Sequence, residues 1–148
     1  MGKSITREKA YKFAIRIVKL YKVLCGRKEF VLSKQLLRSG TSIGALLKES
    51  EHAQSRADFI NKVNIALKEA NESEYWIMLL KDTQYLTYSE YTSIVNDCRE
   101  LIRLTISIVK TSKLNSRLRQ FPKLSTVTCQ LSTDKDEKYY YFRRRNGR

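Results

Sequence analysis

Apolar residues recur every three or four positions over most of the chain, with polar residues between them, which is the period of one helix face. The first such stretch runs from about Ser4 to Cys25, with Ala10, Phe13, Ala14, Ile17, Leu20, Tyr21 and Leu24 on one side. Ser4 or Thr6 is placed to cap it, Glu8 puts negative charge in its first turn, and Gly26 stands where a C′ glycine would end it. The second runs from about Val31 to Gln54 on Leu32, Leu36, Ile43 and Leu47. The third begins near Ser55, where Ser55-Arg-Ala-Asp58 reads like a capping box. It follows Phe59, Val63, Ala66, Ala70, Ile77 and Leu80 to Thr83 or Tyr85. The fourth starts at Thr87, with Thr87-Tyr-Ser-Glu90 as an S/T-x-x-E capping box, and fades around Lys113 after Ile108 and Val109.

Four amphipathic stretches with only five Gly and one Pro predict an all-α fold. The expected architecture is an antiparallel four-helix bundle over residues 1–113, followed by a non-helical basic C-terminal tail over 114–148. Within the tail, Val127, Cys129 and Leu131 alternate with polar residues and Tyr139-Tyr-Tyr-Phe142 supplies a return strand, so a β-hairpin is the candidate structure there.

One run interrupts the helical pattern. Ser39-Gly-Thr-Ser-Ile-Gly-Ala45 is built of small residues, and its two glycines cost a lone helix about 1 kcal/mol each relative to Ala. Either a neighbouring helix approaches closely here and offsets that cost, or the helix breaks into two at Gly40.

Charge sharpens the picture. Lys+Arg number 29 against 15 Asp+Glu, a formal net charge of +14. That exceeds the roughly 2–8 that keeps a small domain soluble, and it favours a polyanionic partner. Residues 113–148 hold ten Lys/Arg and three Asp/Glu, so half the excess lies in the last quarter of the chain. On the first helix Lys9, Lys12, Arg16, Lys19 and Lys22 step by three and four, away from the Phe13/Ile17/Leu24 side. No acid interleaves with this stripe in the expected helix, so intrahelical pairing is not expected to neutralise it. In the tail, Tyr139, Tyr140 and Tyr141 stand beside Arg143, Arg144 and Arg145, which combines stacking rings with guanidinium groups as single-strand binding requires. These eleven residues are the candidate nucleic-acid-binding set.

Catalytic and metal chemistry find little support. Glu49-Ser-Glu-His52 contains Glu-x-x-His, but a di-metal bundle needs that motif twice and the chain has one histidine. Gly40-Thr-Ser-Ile-Gly44 lacks the GK[ST] of a phosphate loop, and no nucleophile elbow is present. No enzyme activity, metal or cofactor is expected. The acids of the third segment are expected to pair with nearby lysines and arginines, with the roles of Glu49 and Glu69 left open. Cys25, Cys98 and Cys129 form no CxxC pair and are odd in number, which fits a reducing compartment. The charged N-terminus is unlike a signal peptide, and no run is apolar enough to span a membrane, so a cytoplasmic location is expected.

The stretches Leu32-Ser-Lys-Gln-Leu-Leu-Arg-Ser-Gly-Thr-Ser-Ile-Gly-Ala45, Ser55-Arg-Ala-Asp-Phe59 and Ile65-Ala-Leu-Lys-Glu-Ala-Asn-Glu-Ser-Glu-Tyr-Trp76 resemble the bacterial four-helix bundle proteins called 23S rRNA intervening-sequence proteins. The resemblance covers about residues 8–112. It departs at Leu46, where members often carry Asn, and does not extend to the tail. That family is similar in fold to the accessory variability proteins of diversity-generating retroelements. The resemblance implies a homopentamer that binds RNA or DNA and a reverse transcriptase. The alternative it implies is a protein–protein interaction module with no direct nucleic-acid role.

Overall fold

A computed structural model describes residues 4–120 of the chain, with side chains through Ser116. The helices are α1 (Ile5–Gly26), α2 (Leu32–Glu49), α3 (Arg56–Asp82) and α4 (Tyr88–Gln120), with one 3₁₀ turn at Ser50–His52 between α2 and α3. They pack antiparallel as a bundle. The contacts divide the chain between Lys113 and Leu114, within α4. The tail hairpin and the tail residues Tyr139, Tyr140, Tyr141, Arg143, Arg144 and Arg145 lie outside the described residues.

The inward side chains of the four helices form one core. Phe13 and Ile17 of α1, Leu36 and Ile43 of α2, Val63 and Ile77 of α3, and Val95 and Leu101 of α4 are all essentially inaccessible. Full burial of each such side chain is worth about 1.5–3 kcal/mol, which explains why helices with modest intrinsic propensity are stable together.

The small-residue run resolves in favour of close approach. α2 is continuous from Leu32 to Glu49, so the expected alternative of a break at Gly40 is overturned. A Cβ added at Gly40 would stand 2.9 Å from Ile17 Cγ1 and 3.1 Å from its Cγ2. At Gly44 the nearest atoms are the Ala10 carbonyl oxygen and carbon at 3.7 and 3.8 Å, ordinary contact. On the α3 side, Ser39 and Ser73 are fully buried with their hydroxyl oxygens 3.0 Å apart, a hydrogen bond that satisfies two polar groups inside the α2–α3 seam.

The helix ends differ from expectation in four places. Gly26 is the last helical residue of α1 and not its C′ residue; that place belongs to Lys28, whose φ is 60°. The Lys28 N–H donates to the Cys25 carbonyl and the Glu29 N–H to the Leu24 carbonyl, the paired bonds of a Schellman end. Gln84, at φ 64°, ends α3 in the same way, with Tyr85 N–H on the Leu80 carbonyl. α2 stops at Glu49, short of the expected Gln54, because Ser50 turns its hydroxyl onto the Leu47 carbonyl (2.8 Å) and the chain tightens into the 3₁₀ turn. α4 continues past Lys113 to Gln120, so the first residues assigned to a non-helical tail are helical. Ser4 occupies the N-cap position of α1 but its side chain makes no capping bond.

The Thr87 capping box forms as read, and the start at Ser55 forms half of one. Ser55 Oγ accepts from the Asp58 N–H at 3.1 Å, while the Asp58 carboxylate takes the Gln54 N–H at 3.2 Å instead of the Ser55 N–H. Thr87 Oγ1 accepts from the Glu90 N–H at 3.3 Å while Glu90 Oε2 accepts from the Thr87 N–H at 2.9 Å. Among the described residues, no helix is long and apolar enough to cross a membrane.

Candidate nucleic-acid interface

The basic stripe of α1 is not uniform. Lys9 reaches Glu100 of α4 at 3.0 Å, and Arg16 pairs with Asp97 of α4 while also donating to the Ser93 carbonyl (3.2 Å) and hydroxyl (2.6 Å). Lys12 pairs with Glu8 one turn earlier at 2.7 Å. The expectation that intrahelical pairing leaves the stripe untouched is therefore corrected: Glu8 is an i,i+4 partner, and α4 supplies two more acids. The Glu8–Lys12 spacing lies within α1, but its periodicity could not show the α4 acids, which come from far along the chain.

Lys19 and Lys22, at the other end of the stripe, form no ion pair among the described residues. The same holds for Lys28 in the α1–α2 turn and for Lys34 and Arg38 on the first turns of α2. Between positions 19 and 38 there are six Lys/Arg and one acid, Glu29. Arg27 is the cation of this stretch that is bound: its guanidinium takes Glu90 at 2.6 and 3.0 Å and donates to the Tyr85 carbonyl at 2.6 Å. That contact ties the α1–α2 turn to the α3–α4 turn and places both at one end of the bundle.

Glu29 stays ionised, but its oxygens are turned inward, and it forms no ion pair with the cations around it among the described residues. The residue is 5% exposed, and its carboxylate accepts from the backbone N–H groups of Val31 (2.9 Å), Leu32 (2.7 Å) and Ser33 (2.6 Å). These are the orphan donors of the α2 N-terminus. Burial pushes its carboxyl up, but the Ser33 side chain and the Leu32, Ser33 and Val31 N–H groups together outweigh burial and hold it below the usual carboxylate range. Sequence reading missed this cap, since Glu29 lies outside the S/T-x-x-E pattern. The signal was its isolation as a lone acid between basic neighbours just before a helix.

A shallow groove of about 350 Å³ runs between α1 and α4 beside this end, with Arg16, Lys19, Ser89, Glu90 and Ser93 among its lining. Glu90 is held down to about 2, from an ordinary 4.5, chiefly by the Arg27 hydrogen bonds and then by the Thr87 N–H. Exposed apolar side chains also gather here: Phe30 is 57% exposed, Val31 71% and Tyr88 75%.

The remaining candidates have structural partners. Glu51 takes Arg7 and Lys48, and Glu49 faces Lys62 at 3.6 Å. Asp58 pairs with Lys62, Glu74 with Arg99, and Glu72 accepts from the Trp76 indole N–H. Glu69 is the exception on α3: its Oε2 is buried without a hydrogen-bond partner. Among the described residues, no group of three His, Cys, Asp or Glu is placed to hold a metal ion. Burial pushes the Cys98 thiol up to about 12, and its Sγ lies 3.3 Å from the Ala70 carbonyl, the setting of an inert core cysteine. Cys129 lies outside the described residues.

Residues 3–107 match the family model described as 23S rRNA-intervening sequence protein. Among solved structures, the chain is 62% identical to a protein of unknown function from the S23 ribosomal protein family of Bacteroides thetaiotaomicron VPI-5482, with a TM-score of 0.71. That match covers 72% of this chain and 99% of the other. No curated protein sequence matches. With the family pattern spread over all four helices, the chain belongs to the 23S rRNA-intervening sequence protein family.

Proposed function

We propose that this protein is a non-catalytic, basic homo-oligomeric scaffold that binds nucleic acid, serving as an accessory subunit to a nucleic-acid-handling enzyme of the reverse-transcriptase kind. The observation that carries this reading is the unequal pairing of charge. Glu8, Glu51, Glu74, Glu90, Asp97 and Glu100 each hold a cation, yet among the described residues Lys19, Lys22, Lys28, Lys34 and Arg38 form no ion pair and cluster toward one end, while Lys68, Arg103, Lys110 and Lys113 are unpaired elsewhere. Unpaired lysines and arginines on a folded surface attract phosphates, and the excess is what remains after the protein has met its own needs. Self-association is supported by Tyr11, Ile15 and Val18, exposed apolar residues one helical turn apart on α1.

The reading is tested by purifying the full chain at low salt from cells, with and without nuclease, and identifying what copurifies. RNA or DNA released by high salt supports it. A single protein retained after nuclease treatment, with no nucleic acid bound, would favour the interaction-module alternative. Light scattering of the nucleic-acid-free protein tests the oligomer, and a monomer at micromolar concentration would remove the scaffold part.

A further inference from the structure

We infer that the contact surface for nucleic acid is the α1–α2 hairpin end of the bundle, and that it takes single strands by stacking a base on Phe30 between unpaired cations. The inference rests on the nucleic-acid reading above and narrows it to one place and one form of the polymer.

Three observations converge there. The first is charge: Lys22, Lys28, Lys34 and Arg38 flank the turn without carboxylate partners among the described residues, and the sole acid between them is buried under α2. The second is an exposed aromatic ring, since Phe30, two residues past Lys28 and four before Lys34 in the α1–α2 turn, is 57% exposed. A base offers the exposed Phe30 ring a flat apolar partner. Bases in a duplex are stacked on each other, so only a single strand, loop or end presents that face. The third is rigidity. The Schellman end at Lys28, the three-bond Glu29 cap and the Arg27 bridge to Glu90 and Tyr85 hold the turn from both sides. The backbone that carries Phe30 is thus held before the strand arrives, which lowers the ordering cost of binding.

The α1 stripe is the competing surface, but Lys9, Lys12 and Arg16 are already paired, and a phosphate would have to displace an acid from each. The tail residues Tyr139–Arg145 compete independently.

The test measures binding of a labelled single-stranded oligonucleotide and of the matching duplex to the full chain by fluorescence anisotropy. Phe30→Ala is expected to weaken single-strand binding about 5- to 100-fold and to leave duplex binding nearly unchanged. Phe30→Trp is expected to retain it. The triple variant Lys22→Ala, Lys34→Ala, Arg38→Ala should weaken both and flatten the salt dependence by about two counterions. Phe30 is exposed, so folding is expected to survive, and circular dichroism with thermal melts checks that. Wild-type binding that is unaffected by these changes but lost on Arg143→Ala, Arg144→Ala, Arg145→Ala would overturn the inference while leaving the nucleic-acid reading intact. No binding by the wild type at low salt would overturn both.

Discussion

Gly40 of α2 lies directly against Ile17 of α1, with no room for even a methyl group between them. Ile17 is fully buried and β-branched, so it cannot swing aside cheaply. Gly40→Ala should cost about 1–3 kcal/mol in overpacking against about 1 kcal/mol gained in helix propensity, and so destabilise the bundle by up to about 2 kcal/mol. Gly44→Ala makes the same chemical change where contact is ordinary, and should be neutral or stabilising by up to about 1 kcal/mol. Urea unfolding of the two variants side by side reads the sign of each.

Gln84 sits in the left-handed region at the end of α3, where a side chain is strained. Gln84→Gly should raise stability by about 1 kcal/mol without touching the charged surface. A thermal melt that shifts upward with unchanged nucleic-acid affinity is the expected result.

Glu29 and Glu90 make stability depend on acid. Both carboxyls titrate lower in the folded protein than in the unfolded chain, so the stability they supply is fully present above the ordinary 4.5. It is lost as pH falls through the folded value, about 2 for Glu90. Glu29→Gln should cost about 1.5–3 kcal/mol at neutral pH, because a buried charge-assisted cap becomes a neutral one. Glu90→Gln should cost about 1 kcal/mol, the worth of a helix cap. In unfolding experiments each variant should approach the wild type near pH 2, and a difference that persists there would count against this assignment.

Most of the fold was legible along the chain because it is built from local signals. Helical periodicity, the Thr87/Glu90 box and the Ser55/Asp58 cap depend on residues a few positions apart, and all appear where read. What was illegible depends on distant partners or on strained backbone. Asp97 and Glu100 neutralise part of the α1 stripe only because α4 packs beside α1. Lys28 and Gln84 end helices in a conformation that usually selects Gly or Asn, so neither residue type announces it. Glu69 is half-buried with one buried, unpaired oxygen, and Leu46 packs against the core.

The most direct test of the central claim is the salt dependence of single-strand binding by the intact chain. Log affinity plotted against log salt over roughly 50–200 mM should fall with a slope of about −0.7 for every phosphate neutralised. With Lys22, Lys28, Lys34 and Arg38 engaged, the wild-type slope should be about −3 or steeper, and should become shallower when those four are replaced by Ala. A slope near zero, or no binding at the low end of the range, would contradict the account.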